Sequence, residues 1–80
     1  MKNVTLFSKE GCQLCEIAET IITKLQNKIQ FNFTTNKIDS QHFQFENYKN
    51  KFPVILIENV EVMSGRVSEP KLRELLLKWK

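Results

Sequence analysis

The chain has 80 residues, 41% hydrophobic and 26% charged, which fits one small domain over 1–80 and excludes both a disordered tail and a multidomain enzyme. Twelve basic residues against nine acidic ones give a formal net charge of +3, and the lysines are scattered rather than grouped, so nucleic acid is not an expected partner. No stretch approaches the roughly 20 apolar residues that cross a bilayer, and the run after Met1-Lys2-Asn3 is too short for a secretory signal, so no membrane association is expected. The expected address is the cytoplasm, where thiols are kept reduced and two cysteines have little use as a static staple.

Val4-Thr5-Leu6-Phe7 is β-branched and aromatic, lies between polar Lys2-Asn3 and Ser8-Lys9-Glu10-Gly11, and reads as a buried first strand. Leu14, Ile17, Ala18, Ile21, Ile22, Leu25 and Ile29 then recur at helical spacing, leaving Glu16, Glu19, Thr20, Lys24 and Lys28 for the other face of a first helix. Phe31-Asn32-Phe33-Thr34 alternates as a second strand. Asp39 and Ser40 are placed to cap a short second helix that carries Phe43 and Tyr48 inward, with His42 on its surface and without a catalytic role. Phe52-Pro53-Val54-Ile55-Leu56-Ile57 is an apolar run opened by proline. Val60-Glu61-Val62-Met63 follows it after Glu58-Asn59, where Asn can take the left-handed conformation of a tight hairpin. Ser68 caps a last helix with Pro70 in its first turn and Leu72, Leu75, Leu76 and Trp79 on one stripe. The order βαβαββα predicts an α/β fold: a right-handed parallel crossover followed by a hairpin, giving a mixed four-stranded sheet flanked by helices.

Cys12-Gln13-Leu14-Cys15 falls where the first strand gives way to the strong helix. Two cysteines scattered at random would stand three apart in only roughly 2% of arrangements, so the spacing itself carries information. On a first helical turn that spacing puts both sulfurs on one face, within reach of a disulfide across the turn. The unpaired N–H groups of a helix start favour a thiolate by about 0.3–2 kcal/mol, which makes Cys12 the more nucleophilic of the two. Lys9 adds positive charge, and Glu10 and Glu16 oppose it. The chemistry these features suit is attack of the Cys12 thiolate on a disulfide, followed by resolution of the mixed disulfide by Cys15.

Four other readings compete. Two buried structural cysteines are at odds with a loop-to-helix junction. A closed zinc site needs about four ligands, and only Cys12, Cys15 and the distant His42 are available, so no metal is expected. A soft-metal carrier for copper also holds a C-x-x-C pair between a first strand and a first helix. That fold runs βαββαβ, whereas the Leu72 to Trp79 stripe here is helical. A redox-inert interaction module on the same fold is the fourth alternative.

Lys9-Glu10-Gly11-Cys12-Gln13-Leu14-Cys15, with Phe52-Pro53-Val54 and Met63-Ser64-Gly65-Arg66 further on, resembles the glutaredoxin-like branch of the thioredoxin fold over essentially the whole chain. The resemblance implies a dithiol-disulfide oxidoreductase in which Cys12 attacks and Cys15 resolves. It also implies a cis Phe52-Pro53 bond and a substrate site around Lys9, Gln13, Phe52, Pro53, Gly65 and Arg66. No bound cofactor is expected beyond the cysteines, and the partners are a disulfide-bearing protein or glutathione. Gln13-Leu14 stands where ordinary glutaredoxins have Pro-Tyr, and Arg66 stands near where they carry an acidic group that pairs with the ammonium of glutathione. Ser64-Gly65-Arg66 is similar instead to the electron donors of ribonucleotide reductase that thioredoxin reductase recharges. Glutathione and thioredoxin reductase therefore both stand as reductants, and a monomer is expected.

Overall fold

The computed structural model describes residues 1–43 and 45–79. Its centre is β1 (Lys2–Ser8), in which period-two alternation buries Val4, Leu6 and Ser8 on one face and leaves Thr5 and Phe7 half-buried on the other. β1 pairs in parallel with β2 (Phe31–Lys37) and antiparallel with β3 (Val54–Ile57), and β4 (Val60–Ser64) completes the order β2-β1-β3-β4. The strand order is thus the mixed four-stranded sheet expected from βαβαββα. β2 continues to Lys37, beyond the Phe31–Thr34 alternation, because the parallel ladder with β1 holds as far as Ser8 opposite Lys37. The β3–β4 turn puts both Glu58 and Asn59 at positive φ, 51° and 65°, the geometry that a two-residue hairpin demands.

Helix α1 (Gln13–Leu25) lies on the Val4 and Leu6 face together with α3 (Glu69–Lys78). Its buried row is Cys15, Ala18, Ile22 and Leu25; the last three pack with Val4, Leu6, Phe31, Ile55, Ile57, Leu72 and Leu76, whereas Cys15 packs with Ile38 and Phe52. The expected stripe was wider than the buried row. Leu14 and Ile17, at 38% and 46% exposure, lie one row round the helix from that seam, and Ile29 falls beyond the helix, in the turn where its N–H donates to the Leu25 carbonyl at 2.9 Å. α3 starts as its sequence predicts, with Ser68 as N-cap accepting from the Lys71 N–H and Pro70 in the first turn. Lys24 and Glu69 form an ion pair at 3.7 Å between the two helices.

The opposite face of the sheet is thinly covered. α2 (Phe45–Tyr48) is a single turn, and Asp39 caps no helix; its carboxylate accepts from the Gln41 N–H at 2.9 Å and its carbonyl from the His42 N–H at 3.0 Å. A run rich in Gln and Asn competes for backbone partners, which keeps this segment in turns. Phe43 is accordingly 84% exposed rather than inward, and His42 lies in a turn, not on a helix surface. The inward residues are Tyr48, whose ring centroid is 5.2 Å from that of Phe7, and Phe45.

Candidate active site

β1 is flanked by strands reached through different connections, β2 by way of α1 and β3 from the far side, so its carboxyl end is the switch point of the sheet, where open α/β folds leave a crevice. Gly11, at φ +68°, turns the chain there from the strand into the helix. Cys12 is the N-cap of α1, in extended conformation, and its Sγ accepts a hydrogen bond from the Cys15 N–H at 3.1 Å. A sulfur that caps a helix faces backbone donors and the positive end of the helix dipole, an environment that stabilises negative charge on it. The two cysteines are joined as a disulfide, with Cα atoms 5.2 Å apart. Cys12 is half-buried and Cys15 is 3% exposed, so a visiting molecule meets Cys12 first.

The pair is supported from below by a small apolar cluster. Cys15, Ile38 and Phe52 are buried together, with Phe7, Cys12, Phe45 and Tyr48 packed against them. The Phe52–Pro53 peptide is cis, and both residues are buried at the entry to β3. Gly65, at φ +73°, donates its N–H to the Pro53 carbonyl at 2.9 Å and the Lys51 carbonyl at 3.0 Å, tying the end of β4 to that bend. Lys9 is exposed and holds its ammonium 5.9 Å from the centre of the Phe52 ring, which links the loop before Cys12 to the bend before β3. Gln13 is exposed in the first turn of α1. Arg66 is exposed one residue beyond Gly65, and its guanidinium has no ion-pair partner among the described residues.

Of the residues singled out by sequence, Lys9, Cys12, Cys15 and Phe52 meet directly, Pro53 and Gly65 form the adjoining bend, and Gln13 and Arg66 stand at the margin. A cavity of about 120 Å³ opens beside the cysteines, lined by Ser8, Lys9, Glu10 and Gly11 from the loop, Cys12, Cys15, Glu16 and Glu19 from the helix, and Lys37 from β2. Ser8, Glu19 and Lys37 are the contributors that sequence reasoning missed. Ser8 is signalled only by its phase on β1, being the one buried polar residue among those described. Lys37 is brought in by the parallel register and ion-pairs with Glu10 at 3.2 Å. Among the described residues, no group of three His, Cys, Asp or Glu side chains is arranged to hold a metal ion.

Comparison with known proteins agrees with this geometry. The family described as Glutaredoxin-like domain (DUF836) matches residues 3–77. The Glutaredoxin-like protein YDR286C homolog of Dictyostelium discoideum is 30% identical over 79 residues, covering 88% of this chain and 70% of that protein. Among solved structures, the target protein XcR50 from X. campestris superposes with a TM-score of 0.80 at 21% identity, over 96% of this chain and 99% of that one. Thioredoxin O2 from Arabidopsis thaliana in its oxidized state gives 0.70 at 17% identity, over 99% and 75%. These two structures establish the fold as thioredoxin-like, and fold and cysteine pair together support redox oxidoreductase chemistry. With residues 3–77 inside the family's pattern and a disulfide spanning its first helical turn, the chain belongs to the glutaredoxin-like domain family, on a thioredoxin-like fold.

Proposed function

We propose that this protein is a dithiol-disulfide oxidoreductase that reduces protein or low-molecular-weight disulfides. The Cys12 thiolate attacks one sulfur of the substrate disulfide, expelling the other as a thiol and leaving a mixed disulfide; the Cys15 thiolate then attacks Cys12 Sγ, closing the internal bond and releasing the second substrate thiol. Two electrons pass from the cysteine pair to the substrate. The observation that carries this reading is the asymmetry of the pair: Cys12 caps the helix and faces the crevice, while Cys15 is buried one turn on and bonded to it. The capping N–H and the helix dipole favour negative charge on the Cys12 sulfur.

The bend at Phe52 and Pro53 supports docking of an extended substrate segment beside the cysteines, and the cations Lys9 and Arg66 favour a partner with acidic groups near its disulfide. Either glutathione or thioredoxin reductase recharges the pair, and ribonucleotide reductase is one protein substrate of the right class. The test is NADPH consumption with the oxidised protein, run separately with glutathione plus its reductase and with thioredoxin reductase. Cys12→Ser is expected to abolish turnover, and Cys15→Ser to trap mixed disulfides or retain only glutathione-dependent activity. Undiminished rates in both variants contradict the reading, as does stoichiometric Cu(I) binding without turnover, which is the behaviour of a soft-metal carrier.

A further inference from the structure

β2 lies at one edge of the sheet, and among the described residues its outer side is paired with no strand. The phase of its backbone is fixed just past its end, where the Ile38 N–H donates to the Ser8 carbonyl of β1 at 2.7 Å. Backbone groups along a strand point alternately to its two sides, so Asn32, Thr34 and Asn36 face β1, and Phe33 and Thr35 direct their N–H and C=O groups outward. The Phe31 carbonyl, outward by the same alternation, accepts from the side-chain amide of Gln26 at 3.2 Å. The other edge of the sheet is guarded. β4 is five residues long, its register with β3 is shifted by a bulge between Ile55 and Leu56, and it carries Glu61 in an ion pair with Lys51 at 3.1 Å. β2 has no such protection: its register with β1 runs unbroken from Phe31 to Lys37, it contains no proline, and its one charge, Lys37, stands at the last position and is paired with Glu10.

We propose that β2 is the interface of a homodimer, in which two copies of the chain pair antiparallel about Thr34 and join their four-stranded sheets into one, in place of the monomer expected from sequence. Phe33 then faces the partner's Thr35, and Thr35 the partner's Phe33, each pair exchanging two backbone hydrogen bonds through the outward groups. Thr34 meets its own counterpart, on the sheet face it shares with Thr5, as a non-hydrogen-bonded pair, the kind in which side chains come closest and Thr–Thr contacts are favourable. Asn32 meets the partner's Asn36. On the core side, the half-buried Phe33 gains cover from the partner's Thr35, and Lys37 stands opposite the partner's Phe31, so no two like charges meet. A strand that reads as its own complement selects a second copy over a foreign strand as the occupant. Because β2 runs parallel to β1, the antiparallel arrangement sends the two cysteine crevices to opposite ends of the joined sheet, and both stay open to substrate.

The test is sedimentation equilibrium of the full chain over a concentration series reaching about 1 mM, with the mass expected to rise reversibly from one chain to two. Thr35→Pro deletes an outward N–H that β1 does not use, and is expected to hold the chain at monomer mass with its circular dichroism unchanged. Thr34→Lys, at an exposed position, sets two like charges against each other and is expected to weaken the dimer about fivefold at low salt, with recovery as salt is added. The register is read by oxidation with diamide in a chain that also carries Cys12→Ser and Cys15→Ser. Thr34→Cys is expected to give a covalent dimer, since paired Cα atoms about 4.5 Å apart suit a disulfide, and Asn32→Cys is expected to give none. Monomer mass throughout the series overturns the proposal, including the case in which β2 accepts a strand of another protein instead. A dimer that both Thr35→Pro and Thr34→Lys leave unchanged uses another surface and overturns it, as does cross-linking through Asn32→Cys but not through Thr34→Cys.

Discussion

The two faces of the sheet are built to different standards. On one, α1 and α3 cover an aliphatic core in which Leu6, Ala18, Ile22, Ile55, Ile57, Leu72 and Leu76 are fully buried. On the other, a single turn of helix and a loop bring only Phe45 and Tyr48 against Phe7, and these half-exposed rings edge a cluster of three buried residues, Cys15, Ile38 and Phe52, which Cys15 joins from the start of α1. The difference teaches where each property resides: folding stability belongs to the large core, and the cysteine pair is held by the small one, at the margin where a partner has access.

The contrast can be broken most forcefully from the core side. Ile22→Ala is expected to cost about 2–5 kcal/mol in urea unfolding, through lost burial and the cavity left behind, while reductase rate per folded molecule is retained. Tyr48→Ala removes the ring contact with Phe7 and is expected to cost less than about 2 kcal/mol, because a half-exposed ring keeps part of its surface in water, yet to lower the reductase rate. Equal stability losses from the two, or an activity loss confined to Ile22→Ala, would remove the distinction. The smallest effect belongs to Ser68→Ala, far from the cysteines: its bond to the Lys71 N–H is long, at 3.4 Å, so the loss is set at about 0.5–1 kcal/mol with unchanged redox behaviour.

The well-packed face was also the legible one. A β-branched and aromatic run between polar flanks marks β1, and helical periodicity marks α1 and α3, since a stripe of Leu, Ile and Ala has one way to be buried against a sheet. Even there the pattern overshot: Leu14 and Ile17 carry the right spacing but lie off the seam that the sheet covers. The other face was misread at Phe43 and Asp39, because a short polar stretch holds too few apolar residues to set a phase and local hydrogen bonds decide its path. At the active site, the cysteines could be read from spacing and position on the chain. Ser8, Glu19 and Lys37 could not, since they meet only through strand phase, helix face and parallel register.

The most direct test of the central claim is to equilibrate the full chain across a series of dithiothreitol ratios, trap the thiols by alkylation and weigh the products. Interconversion of doubly alkylated and unalkylated chains in one two-electron transition is the predicted result, because Cys12 and Cys15 are oxidised and reduced as a unit. Accumulation of singly alkylated protein, or two thiols persisting at the oxidising end of the series, would contradict it.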